Sequence, residues 1–387
     1  MPGTRGRGAT RWTSCGVSGF RGANGSCHAV SVRLEMEQNN AEALIAAAEA
    51  ALHGEELLEA VRLADLAEAA GAEPDRCAGN RWMACMLGGD FPGAWREGDA
   101  IRARGAPDPH RFWLGEDLRG KRVMLRSLHG FGDAVQMFRF LPRLREMASH
   151  LIVEVPPRFV ELAPCFDGMG EVITWGEDAP AEPPAWDVQV EVMELPYLLR
   201  VRADALEPGQ GYLKVPLALQ ASAAEVIAGS EPRIGVVWTA GHWNPTRSIP
   251  FELLETLGSV PGVAFWSLEG RHGRELDGVL PAGWRDGYEF GSGLLRLAAV
   301  VERMDLLITV DTLAAHLAGA LGVPCWLLLQ ERADWRWMSG RLDSPWYPSL
   351  QLWRQTGAEG WGGLLARVAE ALRARPFSTK LDEMASL

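Results

Sequence analysis

Apolar positions along the chain change their period at a single point. From Met36 to Ala106 small and aliphatic residues recur at the spacing of amphipathic helices. Ala106-Pro107-Asp108-Pro109 then reads as a helix stop and linker, and beyond it short continuous apolar runs alternate with helical stretches. Lys121 to Ser127 predicts a strand, Ala134 to Met147 a helix and Leu151 to Val155 a strand, the βαβ order of a parallel sheet. The Pro-rich run Ala179 to Pro184 is expected to cross the surface. A second series predicts a strand from Arg233 to Trp238, a helix near Phe251 to Leu257, a strand from Val263 to Leu268, a helix from Leu294 to Arg303, and strands at Leu306 to Val310 and Cys325 to Leu329. Two α/β halves, joined by a linker near Leu219 to Glu231, would leave a cleft between them, where ligands of open parallel sheets bind.

The helical part carries a repeat. At an offset of 34 residues Gly54 matches Gly88, Ala60 matches Ala94, Asp65 matches Asp99, Ala69 matches Ala103 and Gly71 matches Gly105. That is the tetratricopeptide period, and each unit reads as helix, Gly-containing turn, helix. So short an array buries too little surface to stand alone, so it is expected to lean on the next domain. Protein binding and a helical spacer that completes a neighbouring core explain it equally well.

Composition narrows the class. With 387 residues, 47% hydrophobic and 23% charged, the chain has the make-up of a globular protein, and no apolar run reaches the length of a membrane span. A net charge of -12 argues against nucleic acid as a partner. Residues 1–36 read as a disordered head, consistent with a start placed too far upstream. The six cysteines lack a CxxC spacing and the eight histidines an HExxH motif, which fits reduced thiols, a cytoplasmic setting and no bound metal or cofactor.

Three stretches are candidates for chemistry. His129-Gly130-Phe131-Gly132-Asp133 joins the first strand to a helix; Asp133 is either an N-cap carboxylate or, at the C-terminal edge of a parallel strand, a base for a substrate hydroxyl. Thr239 to Ser248 is a polar loop after a strand. Its Arg247 is either a solvated surface arginine or a forked donor for phosphate oxygens, with Gly241, His242, Asn244 and Ser248 beside it. Asp311-Thr312 ends the strand Leu306 to Val310 and starts a helix rich in small residues, whose free amides suit a pyrophosphate. His316, one turn further on, is either a packed core residue or part of that site. No Asp-x-Asp pair is present to hold a divalent metal.

Gly132-Asp133, Arg247-Ser248-Ile249-Pro250 and Val310-Asp311-Thr312 with His316-Leu317-Ala318-Gly319-Ala320-Leu321-Gly322 together resemble glycosyltransferase family 9, the heptosyltransferase-type enzymes. Asp334-Trp335-Arg336-Trp337 and Ser344-Pro345-Trp346-Tyr347-Pro348 are similar to its branch fused to tetratricopeptide repeats. The resemblance runs from about residue 40 to 375. It implies two facing Rossmann-like domains (a GT-B fold), at 107–225 for the acceptor and 226–375 for the donor, after repeats at 37–106 and before a tail at 376–387. It implies an inverting, metal-independent transfer from a nucleotide-diphosphate sugar to a glycan or protein acceptor. Asp133 would be the base, with Arg247 beside the phosphates. Gly241, His242, Asn244, Ser248, Asp311, Thr312 and His316 would bind the donor, and His129, Gly130 and Gly132 would form the acceptor-side loop. The repeats would take a protein partner. The rival expectation is a non-catalytic adaptor or sugar-nucleotide scaffold.

Overall fold

A computed structural model describes residues 26–105, 110, 112–206, 211–241, 244–269, 280–290 and 292–377, apart from the side chains of residues 26–39, 289 and 358. His242, the 106–109 linker, residues 1–25 of the head and nearly all of the tail lie outside these residues.

Four helices come first: α1 (Ser26–His53), α2 (Leu57–Ala69), α3 (Pro74–Gly88) and α4 (Phe91–Arg104). The first helix starts at Ser26, so residues 26–36 are helical, contrary to the disordered head expected there. Consecutive helices pack as neighbours, and Ala60 and Ala94, matched at the 34-residue offset, are both fully buried. The sharp turns use left-handed backbone at Gly71 and Gly89.

The first sheet has the order β3-β2-β1-β4, all parallel, from β1 (Arg122–Arg126), β2 (His150–Val155), β3 (Glu171–Thr174) and β4 (Val188–Glu191). The helix expected from Ala134 to Met147 is two, α5 (Phe131–Met137) and α6 (Leu141–Met147), separated by a 3₁₀ turn at Phe138–Phe140. Pro142 explains the break: it has no amide to donate and opens α6 in the first-turn position that tolerates it. The four-residue helix α7 (Leu195–Leu198) follows β4. In place of the linker expected from Leu219, α8 (Leu217–Val226) runs between the halves, as its alanine-rich LALQASAAEV sequence favours. The run from Ala179 to Pro184 has no regular structure and is exposed as far as Pro183, with Pro184 half-buried.

The second sheet, order β10-β9-β8-β5-β6-β7, is again all parallel. It comprises β5 (Arg233–Val237), β6 (Ala264–Ser267), β7 (Arg285–Asp286), β8 (Leu306–Val310), β9 (Cys325–Leu329) and β10 (Leu350–Arg354). Its helices are α9 (Glu255–Gly258), α10 (Leu294–Glu302), α11 (Leu313–Leu321) and α12 (Gly360–Ala374). β8 and β9 are buried along their whole length, as strands covered on both faces must be. Strand order reverses at β1/β4 in the first sheet and at β5/β8 in the second, and a doubly wound sheet opens its crevice at such points.

Candidate active site

The two reversal points meet. α5 follows β1 and α11 follows β8, and these helices pack directly on each other. A Cβ on Gly132 would lie 2.7 Å from His316 Cδ2, so the absent side chain is what lets the helices approach.

Asp133 sits in the first turn of α5 rather than at its N-cap, which is Gly130. Its Oδ2 accepts from the Gly130 amide (2.9 Å) and its Oδ1 from Arg336 Nη2 (2.5 Å). Each oxygen thus has one donor and keeps capacity for another. Arg336 comes from the other half, on a single 3₁₀ turn, Trp335–Trp337. Its Nη1 donates to Asp334 Oδ1 (2.7 Å) and its Nε to Gln136 Oε1 (2.9 Å). Gln136, one turn after Asp133 on α5, is fully buried. The Asp334-Trp335-Arg336-Trp337 motif gives Arg336 no role, and the i, i+3 spacing of Asp133 and Gln136 puts two acceptors on one face of α5 without naming the residue that joins them.

On the second half, Arg247 Nη1 donates to Asp311 Oδ2 (3.1 Å). Burial first, and the Asp334 carboxylate next, push the Asp311 carboxyl above the usual range against the pull of Arg247. Thr312 is the N-cap of α11 in extended backbone, and its side chain makes no capping hydrogen bond. His316 is enclosed, with Nδ1 2.9 Å from the Tyr347 hydroxyl. Burial, then Arg336, Arg139 and Arg247, hold it far below the usual histidine range, so the ring is neutral at pH 7. Three guanidinium groups therefore act on one spot where the sheets converge. Arg139, from the 3₁₀ turn after α5, lies 4.7 Å over the Tyr347 ring and 5.6 Å over that of Trp346, fixing the seam.

The loop after β5 is braced from within. Glu269, a buried carboxylate beyond β6 that sequence reasoning passed over, accepts from the amides of Trp238 (2.6 Å) and Thr239 (2.7 Å) and from Thr239 Oγ1 (2.7 Å). Ser248 Oγ accepts from the Ala240 amide (2.9 Å), and Asn244 Oδ1 from Thr246 Oγ1 (2.6 Å). The Gly241 carbonyl accepts from the Asn244 amide (3.2 Å). Ser248 and Asn244 thereby shape the loop. His129 is exposed, with Nε2 3.6 Å from Glu191 Oε2. Cys77, Cys85, Cys165 and Cys325 are free thiols, and burial raises the pKa of each.

Comparison with known proteins bears on the fold. No family model matches the chain. It is similar to protein FlbA of Caulobacter vibrioides, 28% identical over 288 residues, 67% of this chain and 48% of FlbA; the chain spans about half the length of that curated relative. Among solved structures it is similar to the glycosyl transferase family 9 protein of Veillonella parvula DSM 2008, with a TM-score of 0.51 and 14% identity over 66% of this chain and 96% of that one. It is also similar to E. coli ADP-heptose lps heptosyltransferase II, with a TM-score of 0.46 and 15% identity over 65% of this chain and 98% of that one. The α/β fold with two parallel sheets is thus similar to that of the Veillonella glycosyl transferase family 9 structure. No described helix is long and apolar enough to cross a membrane.

Proposed function

We propose that the chain is a glycosyltransferase that moves a sugar from a nucleotide-diphosphate sugar to a hydroxyl of a glycan or protein, with inversion and without a metal. The acceptor hydroxyl gives its proton to Asp133 as its oxygen bonds the anomeric carbon. The bond from that carbon to the diphosphate breaks, and the diphosphate leaves toward Arg247 and the α11 amides. The observation that carries this reading is the meeting of Asp133 with the Asp311–His316 end of the second sheet, through Arg336, where both strand orders reverse. The similarity to a family 9 fold supports the same class. The helical pairs at the 34-residue offset support a tetratricopeptide character, as partner-binding surface or as a spacer that completes the neighbouring core.

Asp133→Asn has one acceptor oxygen in place of two, so it keeps only one of the hydrogen bonds from Gly130 and Arg336, and it removes the base. It should abolish release of nucleoside diphosphate from sugar nucleotides while nucleotide affinity by titration calorimetry stays within about threefold. Turnover at the wild-type rate ends this assignment. One observation favours the rival reading of a sugar-nucleotide-binding scaffold or adaptor: Arg336 and Arg247 both pair with carboxylates here. Nucleotide binding with no turnover of any sugar nucleotide, even with acceptor, would select it.

A further inference from the structure

Arg336 is 12% exposed at its side chain, and each edge of its guanidinium has a different partner: Gln136 at Nε, Asp334 at Nη1 and Asp133 at Nη2. Two partners lie one turn apart on α5 of the first half; the third belongs to Arg336's own turn. Asp334 also accepts from the Arg336 amide (3.0 Å), so it seats backbone and side chain together. The guanidinium carbon stands 4.8 Å over the Trp335 ring, which meets Trp82 of α3 edge-on at 6.0 Å. The planar fork is therefore fixed by α5 of the first half, by its own turn in the second and, through Trp335, by the helical segment. A lysine ammonium, a point charge, matches only part of this arrangement.

We propose that Arg336 is the positioning residue of the cleft: by bridging Asp133 to Gln136 and Asp334 it holds the base at one distance and angle from the donor end of the second sheet. This deepens the transferase reading and rests on it. The acceptor proton still passes to Asp133, and Arg336 acts only through that carboxylate. A base displaced by an ångström loses rate far more than binding, because orientation matters most in the transition state.

The test uses the full chain with ADP-, UDP-, GDP- and dTDP-linked sugars as donors and the free nucleotides as binding probes. For whichever sugar nucleotide wild type turns over, Arg336→Gln should lower kcat about 30- to 100-fold with KM and nucleotide Kd within about threefold, and Arg336→Lys should restore part of the rate. The contact itself is read without turnover: the melting temperature of Asp133→Asn/Arg336→Gln should fall less than the sum of the two single shifts. Unchanged kcat in Arg336→Gln, a loss confined to KM and Kd, or strictly additive shifts would overturn the positioning role while leaving the transferase reading intact. Wild type that turns over none of the donors ends that reading, and this proposal with it.

Discussion

At the scale of single residues, His316 is a core ring beside the proposed site. Its packing between Gly132, Trp337 and Tyr347 is that of a buried core histidine, yet the groups that hold it neutral include arginines from both halves. A histidine whose folded pKa lies below its unfolded value contributes stability that is fully present above about pH 6.5 and is lost as pH falls toward the folded value. Asp311, Glu191, Glu194 and Glu269 have raised carboxyl pKa values and work the other way, gaining stability as they protonate. The histidine contribution therefore appears in a difference. The unfolding free energy of wild type minus that of His316→Asn, from urea titrations, should shrink steadily between pH 7 and pH 5; a difference independent of pH would mean that the ring titrates alike folded and unfolded, and one that grew on acidification that it is charged in the fold. Of the two readings left open for this residue in the sequence, the packed core position describes it, and its place at the meeting of two sheets keeps the site reading within the proposal.

At the scale of elements, the turn between α3 and α4 supports the Trp335–Trp337 turn. Gly89 adopts left-handed backbone at φ 79°, and a Cβ there would stand 3.3 Å from Met338 Sδ; the Ser339 amide donates to the Leu87 carbonyl (2.8 Å). Gly89→Ala should lower stability by about 1–2 kcal/mol in urea unfolding, whereas Gly71→Ala, with open space around its Cβ position, should cost only the backbone part. Core strands were the most legible elements: Leu306–Val310 and Cys325–Leu329 are continuous apolar runs bounded by Asp, Gly and Pro, and both match their expected limits. The strand β7, two residues long, carries too little pattern to be read. The Pro142 break was visible as a residue but not as a consequence, since proline is also tolerated where a helix begins. Among site groups, Asp133, Asp311 and His316 sit at strand ends or first helical turns, where local grammar points to them. Arg336 and Glu269 owe their positions to contacts 203 and 31 residues away in the chain, and no local spacing encodes those.

At the scale of the whole molecule, the helical segment bridges both sheets. On the side of the first sheet, Trp95 Nε1 donates to the Val201 carbonyl (2.7 Å), and Asp99 takes the Tyr197 hydroxyl (2.6 Å) and the Arg200 fork. On the side of the second, Phe91 packs on Trp346 at 5.4 Å and Trp82 on Trp335. Met86, Phe91, Ala94 and Trp95 belong to the same buried cluster as strands β1, β8 and β9. An array held this way is not an appendage that opens and closes freely, because any large separation of the halves would strip apolar surface from α3 and α4. The consequence is thermodynamic. Helical content, tryptophan fluorescence and calorimetric heat should follow one transition. Trp95→Ala, which removes a ring packed against Tyr197 and Phe91, should lower stability by about 3–5 kcal/mol and shift all three signals together. If the helices were independent of the sheets, the variant would instead split the melt, with an early loss of helical signal before the heat of the α/β core, and the bridging role assigned to α3 and α4 would fall.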